Sequence, residues 1–384
     1  MNLDFSEEQI ALREMVRGLC AEHAPPAAVR RMEDDPKGYT DEFWKQQGQL
    51  GLLGLLIPEE YGGSAQSLLE AALVYEEFGR SLAPSPHFPS AVLGAGAILA
   101  AGSPQQKRDW LPKLASGEAI LTPAWLEPRR GFGPRGVQLR AEPSPGGFLL
   151  TGEKRHVLFA SSATRLLVLA RTGPADEDLG LFLVDPAATG VSLKQQRSLA
   201  ADTQYDVRFA GVRVPAESRI GAAGSGWATW DRVMHDAIIL LAAFAIGGAE
   251  RALEITVQYA KDREQFDKPL GAFQAISHYL ADAATLVDGG RTLVYEAAWA
   301  RTAGRSIARL APMAKLFACQ TWRDVTAMCQ QVWGGVGFTI EYDIQLYFRR
   351  AKQLQITWWD TRYLEERVAA LVLDPEAPPY RAGV

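Results

Sequence analysis

The sequence is poor in cysteine. It has three, Cys20, Cys319 and Cys329, an odd set without metal-ligand spacing. They read as small buried hydrophobes in a reducing compartment, which excludes a disulfide framework and a zinc site. An excess of positive charge is missing too: Lys and Arg number 40 against 45 Asp and Glu, a formal net charge of −5, which argues against a nucleic-acid footprint. No apolar run is long enough to span a bilayer. The longest, residues 237–249, is about half a span and is closed by Asp236 and Glu250. Met1-Asn2-Leu3-Asp4 has neither a basic region nor an apolar core, so the sequence predicts no signal peptide and a cytoplasmic protein. What is present is an ordinary globular composition, 47% hydrophobic and 22% charged, over 384 residues. That is too long for one compact core.

The first block reads as helical. Ser6 with Gln9 makes a capping box, and Leu12, Met15, Val16 and Leu19 follow on one helical face. The pattern recurs at Ser67 with Glu70 and at Ser103 to Gln106, where Pro104 takes the first helical position. Pro58-Glu59-Glu60-Tyr61-Gly62-Gly63 lies between these as a loop. After about Gly117 glycine and proline crowd the chain and β-rich runs follow at 148–151, 166–169 and 181–184. Val207-Arg208-Phe209 and Val212-Arg213-Val214 alternate as half-buried strands do. From about Gly226 helical spacing returns, and the stretch through Ile238, Leu241, Ala245 and Gly248 is apolar all round, as at the centre of a bundle. The expectation is an α+β chain of three blocks. These are an N-terminal all-α domain over 1–117, a central antiparallel β-domain over 118–225 and a C-terminal four-helix bundle over 226–384.

Two segments carry chemistry. In Tyr259-Ala260-Lys261-Asp262-Arg263-Glu264-Gln265-Phe266, followed by Pro269 and Phe273-Gln274, Arg263 is a planar, permanently charged donor array suited to a pyrophosphate. Phe266 suits an aromatic ring system. In Gln331-Val332-Trp333-Gly334-Gly335 the glycines let backbone approach a ligand closely. With these segments, Gly51-Leu52-Leu53-Gly54, Pro58 to Gly63 and Gly152-Glu153-Lys154, nearly the whole sequence resembles the acyl-CoA dehydrogenase family. The resemblance implies an FAD cofactor held by Arg263, Phe266, Gln274, Gln331, Gly334, Gly335 and Thr361, the glycine pair meeting the FAD of a neighbouring subunit. It also implies that a carboxylate removes the α-proton of an acyl-CoA thioester while the β-hydrogen leaves as hydride. An electron-transfer flavoprotein or similar acceptor then takes the electrons. No metal, nucleic acid or membrane insertion is expected.

Departures from the family pattern fall in the β-block and at the base. Leu126-Glu127-Pro128-Arg129-Arg130-Gly131-Phe132-Gly133 puts Leu126 and Phe132 where most members carry hydroxyls. His156-Val157-Leu158 replaces an aromatic-isoleucine-threonine run beside the flavin, and His156 reads as a packed or exposed histidine or as a substitute for that run. One base position of the family reads His235-Asp236-Ala237-Ile238, with Ala237 in the place of the glutamate. The other reads Trp359-Asp360-Thr361, with Trp359 where a bacterial subgroup has glycine, so that it shapes the pocket or blocks it. Asp360 is the candidate base, or else the N-cap of the helix that begins near Arg362.

Three functions stay open. The first is an FAD-dependent dehydrogenase that introduces a 2,3-double bond into an acyl-CoA, as a homodimer or homotetramer. The second is a non-catalytic subunit in a heterotetramer with a paralogue that carries the base. The third is a diverged flavin oxidase.

Overall fold

The structure, a computed structural model, describes residues 4–373. Its first helices are α1 (Glu7–His23), α2 (Pro26–Arg31), α3 (Asp41–Gln49), α4 (Leu68–Ser81), α5 (Ala95–Ala101) and α6 (Pro104–Ser116). Ser6 with Gln9 and Ser103 with Gln106 both close as capping boxes, so the first turns of α1 and α6 begin with satisfied amides. A π-helical turn, Phe88–Gly94, runs into α5. His87, just before it, is buried and donates from Nε2 to Leu52 O at 3.0 Å.

Eight strands follow: β1 (Leu121–Ala124), β2 (Arg140–Ser144), β3 (Gly147–Leu158), β4 (Arg165–Arg171), β5 (Leu179–Val184), β6 (Val191–Gln196), β7 (Gln204–Pro215) and β8 (Arg219–Ile220). They form one sheet in the order β6-β7-β3-β2-β4-β5-β8, with β1 added on β4. Pairing is antiparallel except where β1 and β2 meet β4. The alternating runs 207–209 and 212–214 are one strand, because Gly211, at φ 64°, takes up the extra residue of a bulge opposite Leu150 and Thr151. Leu150, Leu166, Val168, Phe182, Val207 and Val212, all almost completely buried, build the core beneath.

The remainder is α7 (Gly226–Asp262), the ribbon strands β9 (Glu264–Gln265) and β10 (Lys268–Pro269), α8 (Gln274–Thr302), α9 (Leu310–Trp333), α10 (Ile344–Ile356) and α11 (Thr361–Leu373). At 37 residues α7 is about 55 Å long. No described helix is long and apolar enough to cross a membrane.

The described chain divides into two compact units. A bundle unit takes the residues up to Arg30, Leu68–Ala83 and those from Ile238; a sheet unit takes Arg31–Ser67 and Pro84–Ala237. Within the bundle unit α9 packs on α8, α10 and α11. It also lies on α7, where Gly248 leaves room for the Trp322 indole: a Cβ there would sit 2.5 Å from the ring. The crossing of α4 and α7 is closer still. A Cβ on Gly79 would meet Phe244 O at 1.9 Å and one on Gly247 would meet Glu76 O at 1.9 Å, so the two backbones touch. Glu76 and Glu77, both buried at this crossing, are paired with Arg291 at 3.0 Å and Arg17 at 2.7 Å.

Candidate active site

In the bundle unit, α7 ends as Arg263 N donates to Tyr259 O at 2.8 Å, and the chain turns back through β9 and β10. The two residues of that turn, Phe266 and Asp267, have φ 55° and 61°. A tight hairpin of this hand ordinarily takes Asn-Gly, and a phenylalanine in a left-handed conformation is strained. Phe266 is 86% exposed, and its ring meets that of Phe273 edge-on at 6.2 Å between centroids. Arg263 is exposed, and its guanidinium has no hydrogen bond or ion pair among the described residues. Gln274, the exposed first residue of α8, follows directly.

The other cofactor candidates sit at the end of α9. Gly334 takes φ 64° and ψ −146°, a conformation that belongs to glycine. Added Cβ atoms on Gly334 or Gly335 would meet nothing within 4 Å, so this turn is open, whereas a Cβ on Gly337 would come 2.5 Å from Gln330 Oε1. Trp333 stacks on Tyr259 with centroids 4.0 Å apart and donates to Thr256 Oγ1 at 3.0 Å. The exposed Gln331 and the glycine turn are thereby rooted on α7 one turn before Arg263.

Thr361 opens α11, and Asp360 caps it: Asp360 Oδ1 accepts from Tyr363 N at 2.9 Å. The second carboxylate oxygen makes no hydrogen bond to a described residue, so the cap holds the group while leaving one oxygen for other work. Trp359 is completely buried. Its indole lies under α11 against the Arg367 guanidinium at 4.4 Å and Tyr363 at 5.4 Å.

The sheet unit treats its polar groups differently. Glu127 Oε1 accepts from Gln138 N and Leu139 N at 2.9 Å each and from Lys154 Nζ at 2.7 Å. Lys154, with no exposed surface, donates also to Trp125 O at 3.1 Å. Burial pulls its ammonium below the ordinary lysine pKa, and Glu127 opposes that shift. Sequence reasoning had this glutamate and this lysine in separate family-like segments and missed the pair. Leu126 and Phe132 offer no side-chain donors, and Trp125 fills the neighbourhood, 5.9 Å from Phe132 and 5.2 Å from Trp230. His156 stands in a bulge of β3 with φ 55°; its Nδ1 meets Gln204 Oε1 at 2.8 Å, and Gln204 Nε2 donates to Asp202 Oδ1 at 2.8 Å. His235 bonds back to Asp231 O at 2.8 Å, while Ala237 and Ile238 are fully buried.

The uncommitted Arg263 guanidinium, the exposed Phe266 ring and the open Gly334–Gly335 backbone fit a dinucleotide with an anionic pyrophosphate and a flat ring system. Comparison with known proteins identifies the family. Residues 6–118 match the acyl-CoA dehydrogenase N-terminal domain, and residues 224–358 match the acyl-CoA dehydrogenase C-terminal domain. A probable acyl-CoA dehydrogenase of Bacillus subtilis, YngJ, is 32% identical over 364 residues, 93% of this chain and 95% of that one. The butyryl-CoA dehydrogenase structure from Megasphaera elsdenii superposes with a TM-score of 0.90 at 27% identity, covering 97% of this chain and 100% of the other. A chain of the ChsE4-ChsE5 complex from Mycobacterium tuberculosis does so at 0.88 and 28% identity, covering 98% and 100%. The chain belongs to the acyl-CoA dehydrogenases, a family of flavoprotein oxidoreductases.

Proposed function

We propose that the protein is an FAD-dependent dehydrogenase that introduces a 2,3-double bond into an acyl-CoA thioester, with Asp360 as the base. The observation that carries this reading is the Asp360 carboxylate, held by one oxygen at the head of α11 and unengaged at the other. Bound FAD supplies the two-electron acceptor. Arg263 binds its pyrophosphate, with Phe266, Gln274, Gln331, Gly334, Gly335 and Thr361 around it. Because Trp333 stacks on Tyr259, we read Arg263 and Gln331 as offered by the same subunit, to a flavin that a neighbour shares. Asp360 takes the α-proton through its unengaged oxygen, which a carboxylate within reach does well. Exposed Phe266, Phe338 and Ile340, at 86%, 71% and 78%, support an assembled state, whether homodimer, homotetramer or heterotetramer with a paralogue. Electrons then pass to an electron-transfer flavoprotein or similar acceptor.

A second reading is favoured by Leu126 and Phe132, which have no hydroxyl to give: the chain is a subunit that completes a site whose base lies on a paralogue. Anaerobic bleaching of the flavin by acyl-CoAs separates the two. Wild-type protein, alone or with its paralogue, bleaches under the first reading and the Asp360→Asn protein does not. Normal bleaching by an Asp360→Asn assembly establishes the second.

A further inference from the structure

We propose that Lys315 is the positioning residue of the base: from α9 it fixes the backbone turn that presents Asp360. The inference rests on the reading of Asp360 above.

Lys315 has no exposed surface. Its ammonium donates to three carbonyls, Leu354 O at 3.1 Å, Thr357 O at 3.1 Å and Trp359 O at 3.2 Å. An ammonium has three N–H groups, and three of its bonds reach the segment that joins α10 to α11, with the Cys319 thiol alongside. Leu354 lies in the last turn of α10, and a lysine that bonds such a carbonyl is an ordinary helix-end device. The other two bonds are different. They grip the backbone on both sides of Trp358, beyond the helix, and the last of them is to the residue next to Asp360.

That turn needs holding. Trp358 and Trp359 have φ 53° and 69°, two bulky residues in succession in the left-handed region. Such backbone persists only where its surroundings over-determine it. Asp360 itself and Arg367 under Trp359 contribute from within the turn and α11, but Lys315 ties the turn to another helix of the bundle. Burial pulls the lysine below its ordinary pKa, and the Cys319 thiol beside it and Asp360 across the turn oppose that shift. Without the clamp, Trp358 and Trp359 relax toward negative φ, and the carboxylate that follows them moves.

The test uses the FAD-loaded assembly and the variants Lys315→Met, Trp359→Gly and the pair. Bleaching at saturating acyl-CoA, the acyl-CoA dissociation constant and FAD content are measured, with amide exchange at Tyr363, whose N–H makes the cap. Lys315→Met is expected to slow bleaching at saturation at least a hundredfold, with FAD content and acyl-CoA affinity within about threefold of wild type. Exchange at Tyr363 should rise at least tenfold. Glycine accepts a left-handed φ without strain, so in the Trp359→Gly background the same replacement should slow bleaching less than tenfold. Wild-type bleaching by Lys315→Met, or an equal loss in both backgrounds, overturns the proposal. If Lys315→Met alone fails to fold, the pair decides: a folded pair supports the clamp, and a pair that fails while Trp359→Gly folds refutes it. A normal Asp360→Asn protein sinks the base assignment instead, and exchange at Tyr363 still reports whether Lys315 sets the turn.

Discussion

The turns of the bundle unit and the loops of the sheet unit handle polar groups in opposite ways. At the end of α7, Arg263 is exposed and its guanidinium is unpaired among the described residues, and the Gly334–Gly335 backbone stands open. In the sheet unit Glu127 and Lys154 consume each other, and His156 is tied through Gln204 to Asp202. At these two exposed turns the bundle therefore keeps hydrogen-bonding capacity for a ligand, though its interior pairs Lys315, Glu76 and Glu77 as fully as the sheet pairs Glu127 and Lys154. The departures from the family pattern at Leu126, Phe132, His156 and Ala237 lie in the sheet unit, and Trp359 is a departure on the bundle side.

Four experiments press on that contrast. Asp360→Asn keeps the cap, since an amide oxygen still accepts from Tyr363 N, but cannot take a proton. Bleaching should fall by about 10²–10⁴, the usual contribution of a general base, with the melting temperature unchanged. Lys154→Met should do the reverse. It leaves Glu127 buried without its cation and costs about 3–5 kcal/mol in urea denaturation, and a cost under 1 kcal/mol would dissolve the distinction between the units.

The third experiment uses His87, whose burial lowers its pKa from 6.5 to about 4. The unfolded chain binds the proton first, so stability is full above pH 6.5 and declines as the pH falls toward 4. The loss attributable to this residue is roughly 3 kcal/mol, and His87→Gln should flatten that limb of the curve. The smallest effect belongs to Arg263→Ala, which should weaken FAD binding by about 1–3 kcal/mol and leave stability alone, because the guanidinium has no hydrogen bond or ion pair among the described residues. Unchanged FAD retention would remove the main cofactor assignment.

Much of the architecture was legible because it rests on local signals. Ser6 with Gln9 and Ser103 with Gln106 cap where their spacing says, and the all-round apolar run through Ile238 and Leu241 is buried in α7. The parallel pairings of β1 and β2 with β4 were not legible, since nothing in a strand's sequence names its neighbour. The two runs of β7 looked separate because Gly211 resembles a turn when only its neighbours are read. At the site, Arg263 and the glycine turn announce themselves by residue type. Lys315 does not: a lysine among apolar residues reads as a helix surface until the carbonyls of another segment are placed around it. Trp359 reads in the sequence as an indole that shapes the pocket or blocks it, and nothing in its own sequence window reveals that it is buried under α11 against Arg367 and Tyr363.

The close crossing of α4 and α7, where Gly79 faces Phe244 O and Gly247 faces Glu76 O, makes α7 a lever with a fixed fulcrum. Backbone rests on backbone there, and no side chain can rotate to absorb a shift. From Gly247 to Arg263 the helix and its exit run about 24 Å at 1.5 Å per residue. A tilt of about 5° at the fulcrum would carry the guanidinium some 2 Å sideways, by the same helical rise, which is enough to break a bidentate grip on a phosphate. A methyl group on either glycine would thus be felt far from where it was added, as a misplaced charge at the lever's tip.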